Sequence, residues 1–315
     1  MLFKELKDSF FKFEEQRIKP STLCSKKSLV VQHISPYFDK LELNLLTADK
    51  LNEWRANINS FDVKVSTKNS IISIMLQILK FANKINILSN ELFNSLSFML
   101  SSPIKDTSDI DDEIKKDNFI TYEQLEQLLE AFNKIKLVNR KEYIFITKIL
   151  FYTGLRKSEF RGLKVNKIDF EKKCIYVVSQ KQDKFISTTD TSLKSKKAKR
   201  VIMLDETTLK NIKEWIIERN LTNNDYIVTD CFCNYSIALE KVAKIIGVDR
   251  LTPHGLRHSH CSYLIQLYID NGLVPDFGAI ATRLGHNIEN TMNIYYHLYP
   301  EQQLNLINLI NTNKN

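Results

Sequence analysis

Leu251-Thr252-Pro253-His254-Gly255-Leu256-Arg257-His258-Ser259-His260 places three of the chain's six histidines within seven residues. Pro253 suits the first position of a helix, where its missing N–H has no partner to lose, so the stretch predicts a helix starting there. His254 and Arg257, three apart, then share a face. His254 and His258 are also i, i+4, a spacing that zinc can use. No acidic partner completes an HExxH-like arrangement, and Arg257 beside a dication is unfavourable, so the stretch reads against metal.

Upstream, Thr153-Gly154-Leu155-Arg156-Lys157-Ser158-Glu159 ends one helix on a glycine suited to a left-handed cap and begins another. A phosphate near such a helix start would meet backbone N–H groups and the Arg156 guanidinium. Taken alone, Arg156 and Glu159 also fit a plain surface ion pair. Downstream, Leu284-Gly285-His286 precedes Tyr295 by nine residues counted from His286, within Thr291-Met292-Asn293-Ile294-Tyr295-Tyr296-His297. Neighbours on a helix point about 100° apart, so only one of Tyr295 and Tyr296 can face a given target.

Arg156, then His254-x-x-Arg257, then Gly285-His286, then Tyr295, in that order and spacing, resembles the tyrosine recombinase family, the phage-type integrases. The family also carries a catalytic lysine in a Lys-Thr/Ser-x-x-x-x-Arg-hydrophobic context, which Lys194-Ser195 followed by Arg200-Val201-Ile202 resembles. Lys196 and Lys197 stay open for that role, because the connection from Gln180 to Lys199 is longer than the family's usual one. The resemblance implies a site-specific recombinase that cleaves and rejoins double-stranded DNA through a 3′-phosphotyrosyl intermediate. Tyr295 would be the nucleophile, and Arg156, Lys194, His254, Arg257 and His286 the other catalytic residues, with Glu159 supporting. It implies neither metal nor cofactor, and a homotetramer on two paired recombination sites. A type IB topoisomerase-like enzyme shares this chemistry, and a noncatalytic DNA-binding protein could share the scaffold.

The residue types suit the reaction. A phosphodiester repels a nucleophile, and attack builds further charge on its nonbridging oxygens, which two guanidinium forks hold better than ammonium groups. A tyrosine hydroxyl, with an unperturbed pKa of about 10, needs nearby cations or a base.

The remaining sequence predicts a mainly α chain with a small antiparallel β-sheet in the catalytic domain. Ile71, Ile74, Met75, Ile78, Leu79, Ala82 and Ile85 recur at helical spacing, as do Phe3, Leu6, Phe10 and Phe13. Pro20 opens a helix carrying Leu29, Val30, His33 and Ile34, which Pro36 ends; His33 reads as structural. Residues 1–105 form a helical DNA-binding domain, 106–118 an acidic linker, and 119–315 the catalytic domain. Thr121 to Gln124 forms a capping box ahead of Leu125, Leu128, Leu129 and Phe132. Strands are predicted at Val165 to Phe170, Cys174 to Ser179 and Arg200 to Leu204. The N-terminal half resembles a core-binding domain, and by resemblance the two domains close on DNA as a clamp. The layout is similar to an Xer-type recombinase without an arm-binding domain.

The net charge of +8 and sequence pI of about 9.0 favour a polyanionic partner. Residues 172 to 200 hold nine Lys/Arg against two Asp/Glu, which marks Lys181, Lys184, Lys196, Lys197, Lys199 and Arg200 as contacts to DNA phosphates. No apolar run approaches the about 20 residues of a membrane span, and the charged start fits no signal peptide, so the reading is a cytoplasmic protein with no membrane partner. Five cysteines without paired metal spacing read as reduced thiols. Leu304, Leu306, Ile307, Leu309 and Ile310 form an apolar tail expected to dock on a neighbouring subunit.

Overall fold

The computed structural model describes residues 1–104, 119–181, 190–192, 199–228, 232–289 and 291–293. The chain divides into two compact units, Met1–Asp112 and Glu113–Asn315.

The first unit is helical throughout its described residues: α1 Phe3–Glu15, α2 Pro20–His33, α3 Ser35–Phe38, α4 Ala48–Ser60, α5 Val65–Lys84 and α6 Asn90–Leu100. Pro20 occupies the first turn of α2, as its fixed φ favours. Pro36 does more than stop α2: it lies in the first turn of α3, so the chain breaks and restarts within two residues. The apolar stripe of α5 from Ile71 to Ala82 is buried. Ile85 is exposed, because α5 ends at Lys84 and Asn86 turns left-handed at φ 59°. His33 is structural through its backbone, its carbonyl accepting from Trp54 Nε1 at 2.9 Å. Trp54 in turn packs edge-on against Phe38 with ring centroids 5.6 Å apart.

The second unit opens with α7, Tyr122–Lys134, and α8, Arg140–Thr153. The capping box is present: Thr121 Oγ1 accepts from the Gln124 N–H at 3.3 Å, and Gln124 Oε1 accepts from the Thr121 N–H at 2.9 Å. A single turn, α9 Lys157–Arg161, leads into strands β1 Ile168–Asp169, β2 Cys174–Val177, β3 Ser179–Lys181, β4 Asp190–Ser192 and β5 Arg200–Met203. β1, β2 and β5 form an antiparallel sheet in that order, and β3 pairs β4 in a separate antiparallel ladder. The stretch from Val165 is therefore mostly not strand: Val165–Lys167 form a 3-10 turn, leaving two residues for β1.

Helices α10 Glu206–Glu218, α11 Phe232–Ile245, α12 Pro253–Asp270 and α13 Phe277–Leu284 follow. The core packs α8 against α7, α10, α11 and α12. Within it Trp215 stacks flat on Phe145 at 4.4 Å, and its Nε1 donates to the Ile227 carbonyl at 2.9 Å. Ser259 Oγ accepts from the Ile120 N–H and donates to the Gly255 carbonyl, both at 2.9 Å, tying the start of the unit to α12. Among the described residues no helix is long and apolar enough to cross a membrane. Cys24, Cys174 and Cys261 are free thiols. The 106–118 linker and the apolar tail at 304–310 lie outside the described residues.

Candidate active site

The site is built on three helix ends. Helix α8 stops at Gly154, which is left-handed at φ 62°. A Cβ there would sit 2.5 Å from His260 Cδ2 and 2.6 Å from Leu284 Cδ2, so glycine is required twice over, for the turn and for the approach of α12 and α13. Helix α12 starts as expected, with Pro253 in its first turn and Thr252 Oγ1 accepting from the Gly255 N–H at 3.0 Å. Helix α13 ends at Gly285, left-handed at φ 65°.

The carbonyls of Arg283, Leu284 and Gly285, at the negative end of α13, each meet a different arginine. Arg200 Nε donates to the Arg283 carbonyl at 2.7 Å. Arg257 Nη2 donates to the Leu284 carbonyl, and its Nη1 donates to the Gly154 carbonyl at 2.7 Å. Arg156 Nη2 donates to the Gly285 carbonyl at 2.8 Å. Three cations from three elements thus converge on the turn that carries His286.

Glu159 is the carboxylate that organises two of them, Arg156 and Arg200. Its side chain is 1% exposed. Oε1 accepts from Arg156 Nη1 at 2.7 Å and from Arg200 Nη1 at 3.0 Å. Oε2 accepts from Arg200 Nη2 and from the Arg156 backbone N–H, both at 2.9 Å. The Arg156–Glu159 pair is accordingly a brace between a half-buried guanidinium and a buried carboxylate, which also takes the Arg156 N–H at the start of α9. Burial pushes the Glu159 carboxyl up, but the hydrogen bonds and charge of Arg200 and Arg156 outweigh it and hold it below its usual range. That stabilisation is full above the unfolded pKa of about 4.3 and is lost as pH falls through the lowered folded value. Glu159→Gln is therefore expected to lose about 3 kcal/mol at neutral pH, with the gap to wild type closing below pH about 4. Thermal denaturation at a series of pH values checks this; a gap independent of pH would contradict it.

His254 and His258 meet edge-on, ring centroids 4.7 Å apart. Burial, then the His258, Arg257 and Arg156 charges, pushes His254 down to about 4. His286, lowered to about 4 by burial and then by Arg257, makes a 3.1 Å contact from Nδ1 to the Asn287 carbonyl. A carbonyl only accepts, so Nδ1 carries the hydrogen and the neutral ring presents the lone pair of Nε2. Burial and the neighbouring Arg156 push Arg257 down to about 9, which leaves it cationic at neutral pH.

The sequence-predicted residues Arg156, Glu159, His254, Arg257 and His286 therefore come together. Tyr295, Lys194, Lys196, Lys197 and Lys184 lie outside the described residues. Lys199 is exposed, and Lys181 Nζ stands 3.8 Å from the centroid of the Tyr226 ring. Arg200 differs from its expected place on DNA phosphates. Its side chain is 4% exposed and turned onto Glu159, because strand alternation puts it on the same buried face as Ile202. Sequence reading also missed Arg283 and His260. Arg283 Nε donates to His260 Nε2 at 2.9 Å, Nη1 to the Met203 carbonyl at 2.8 Å and Nη2 to the Tyr152 carbonyl at 3.2 Å, joining α13 to α12, β5 and α8. Their only sequence signal was adjacency, one to Leu284-Gly285 and the other to Arg257-His258.

The profile of the phage integrase family matches residues 118–302, and that of the phage integrase N-terminal SAM-like domain matches residues 2–58. The chain belongs to the phage integrase family, whose members are tyrosine recombinases and hence enzymes. It is 24% identical over 307 residues to the ICEBs1 integrase of Bacillus subtilis, covering 90% of this chain and 76% of that one. It is 27% identical over 263 residues to the tyrosine recombinase XerH of Helicobacter pylori, covering 77% of this chain and 64% of XerH. Among solved structures, the Tn1549 transposon integrase in complex with transposon right end DNA superposes with a TM-score of 0.71 at 20% identity, covering 94% of this chain and 95% of that one. XerH bound to palindromic difH substrate gives a TM-score of 0.60 at 21% identity, covering 88% and 75%. These likenesses carry the two-domain, mainly helical fold.

Proposed function

We propose that this chain is a site-specific recombinase that cleaves and rejoins double-stranded DNA through a covalent 3′-phosphotyrosyl intermediate at Tyr295. The observation that carries the reading is the convergence of Arg156 and Arg257 on adjacent carbonyls beside His286. In the reaction, the Tyr295 oxygen attacks phosphorus as the bond to the 5′ oxygen breaks. His254, uncharged in the free site, accepts the phenolic proton, and Lys194 donates one to the departing 5′ oxygen. The two guanidinium groups and His286 hold the nonbridging oxygens as their charge grows, the largest contribution such a site makes. Attack by a 5′ hydroxyl of a second duplex reverses the step with the same bonds, so no ATP or metal enters. The lysines at 181, 184, 196, 197 and 199 contribute charge toward DNA phosphates, and four copies act on two paired sites.

The test uses duplexes selected for binding from a randomised pool, then nicked so that the cleaved strand is lost. A covalent protein–DNA band is expected; its absence would sink the reading. Joining of two sites with slow relaxation of supercoils separates recombinase from topoisomerase.

Binding should also take up protons. His286 is neutral when free, and a phosphate anion raises its pKa, so the complex holds more protons than its parts. Affinity is then expected to fall as pH rises from 5 to 7, and the binding heat to depend on the buffer's ionisation enthalpy, with a smaller dependence in His286→Gln. Calorimetry showing no buffer dependence in that range would remove His286 from the phosphate.

A further inference from the structure

We infer that Arg200 is a positioning residue, which sets Arg156 through Glu159 and sets the His286 turn through the Arg283 carbonyl and Gly285. The inference rests on the recombinase reading for its consequence and on geometry for its substance. Arg200 grips both Glu159 oxygens in a fork, at 3.0 and 2.9 Å, and each of those oxygens also accepts one N–H of Arg156. Its third donor, Nε, reaches the Arg283 carbonyl at 2.7 Å. Gly285 lies against it so closely that a Cβ there would stand 3.1 Å from both Cδ and Nη1 of Arg200. One buried side chain therefore braces two groups of the anion site that come from opposite ends of the catalytic unit. Without it, Glu159 has Arg156 as its remaining described cationic partner, and the full pull of a buried carboxylate draws that guanidinium inward, away from a phosphate. The fork matters because an ammonium cannot engage both carboxylate oxygens and the carbonyl in one plane.

Arg200→Met, Arg200→Lys and Arg200→Met with Glu159→Gln separate positioning from phosphate contact and from folding. At saturating protein, single-turnover cleavage of the nicked duplex is expected to fall about 100-fold in Arg200→Met, as a misplacement of about 1 Å would produce. It should recover about tenfold of that in Arg200→Lys, while affinity stays within about twofold and the salt slope of binding is unchanged. The double variant removes the uncompensated carboxylate; it is expected to melt near wild type and still cleave slowly. Nitrogen-15 spectra of the arginine side chains, with Arg156 assigned by Arg156→Lys, should show hindered Arg156 guanidinium rotation in wild type and averaging in Arg200→Met. A salt slope lowered by about one with saturated cleavage unchanged would make Arg200 a phosphate contact and overturn the inference. Unchanged Arg156 spectra would overturn it as well. The spectra need no catalysis, so a wild type that forms no covalent band would sink the recombinase reading while leaving Arg200 decided.

Discussion

Tyr295→Phe is expected to bind its duplex within about twofold of wild type, a change under about 0.5 kcal/mol, and to form no covalent adduct. The substitution removes one oxygen and nothing else. On the proposed reading, affinity for DNA comes from many lysine and arginine contacts to phosphates, none of which needs the hydroxyl. The proposed adduct, in contrast, is a bond to that oxygen, so its loss would be complete rather than graded. Tyr296→Phe is the control. With Tyr295 alone as the proposed nucleophile, the Tyr296 variant should keep the adduct. Denaturing gels of both variants on the nicked duplex decide the matter. An adduct surviving in Tyr295→Phe and lost in Tyr296→Phe would move the nucleophile by one residue.

Legibility of the site in the sequence followed the strength of local rules. Helix starts and stops were readable because they depend on single residues: Pro253 in the first turn of α12, Thr121 with Gln124, and the left-handed Gly154. The order of Arg156, His254, Arg257 and His286 was readable as a pattern, and the fold brings those residues to one turn. Arg200 was misread for a definite reason. A run of lysines suggested contacts to DNA phosphates, yet alternation along Arg200-Val201-Ile202-Met203 buries the first and third residues and exposes the second and fourth. Glu159 supplies the countercharge that makes the burial tolerable, and it lies 41 residues away, beyond any local pattern. Arg283 and His260 stayed hidden likewise, since their partners are backbone carbonyls and a ring brought together only by packing. Val165 to Phe170 keeps only the two residues of β1 as strand because its first three residues close a 3-10 turn instead.

Arg257→Lys tests whether the arginine cluster works by charge or by shape. The wild-type guanidinium is buried at 4% exposure and spans two carbonyls from different helices, those of Gly154 and Leu284. Lysine keeps the charge but is a single point donor, so one carbonyl loses its partner, at about 1–3 kcal/mol of stability. The salt slope of DNA binding should not change, because the charge count is the same. Cleavage should fall by about 10²–10³, the cost of removing one preorganised donor from a developing oxyanion. Arg257→Ala would differ in kind: it removes the charge, so the salt slope should drop by about one along with the rate. Thermal denaturation, a salt series of binding isotherms and single-turnover cleavage measure the three effects separately. Cleavage by Arg257→Lys within about threefold of wild type would mean that the field of the cations, and not the fork, stabilises the transition state. The convergence of three arginines on the carbonyls of residues 283, 284 and 285 would then be a feature of folding alone.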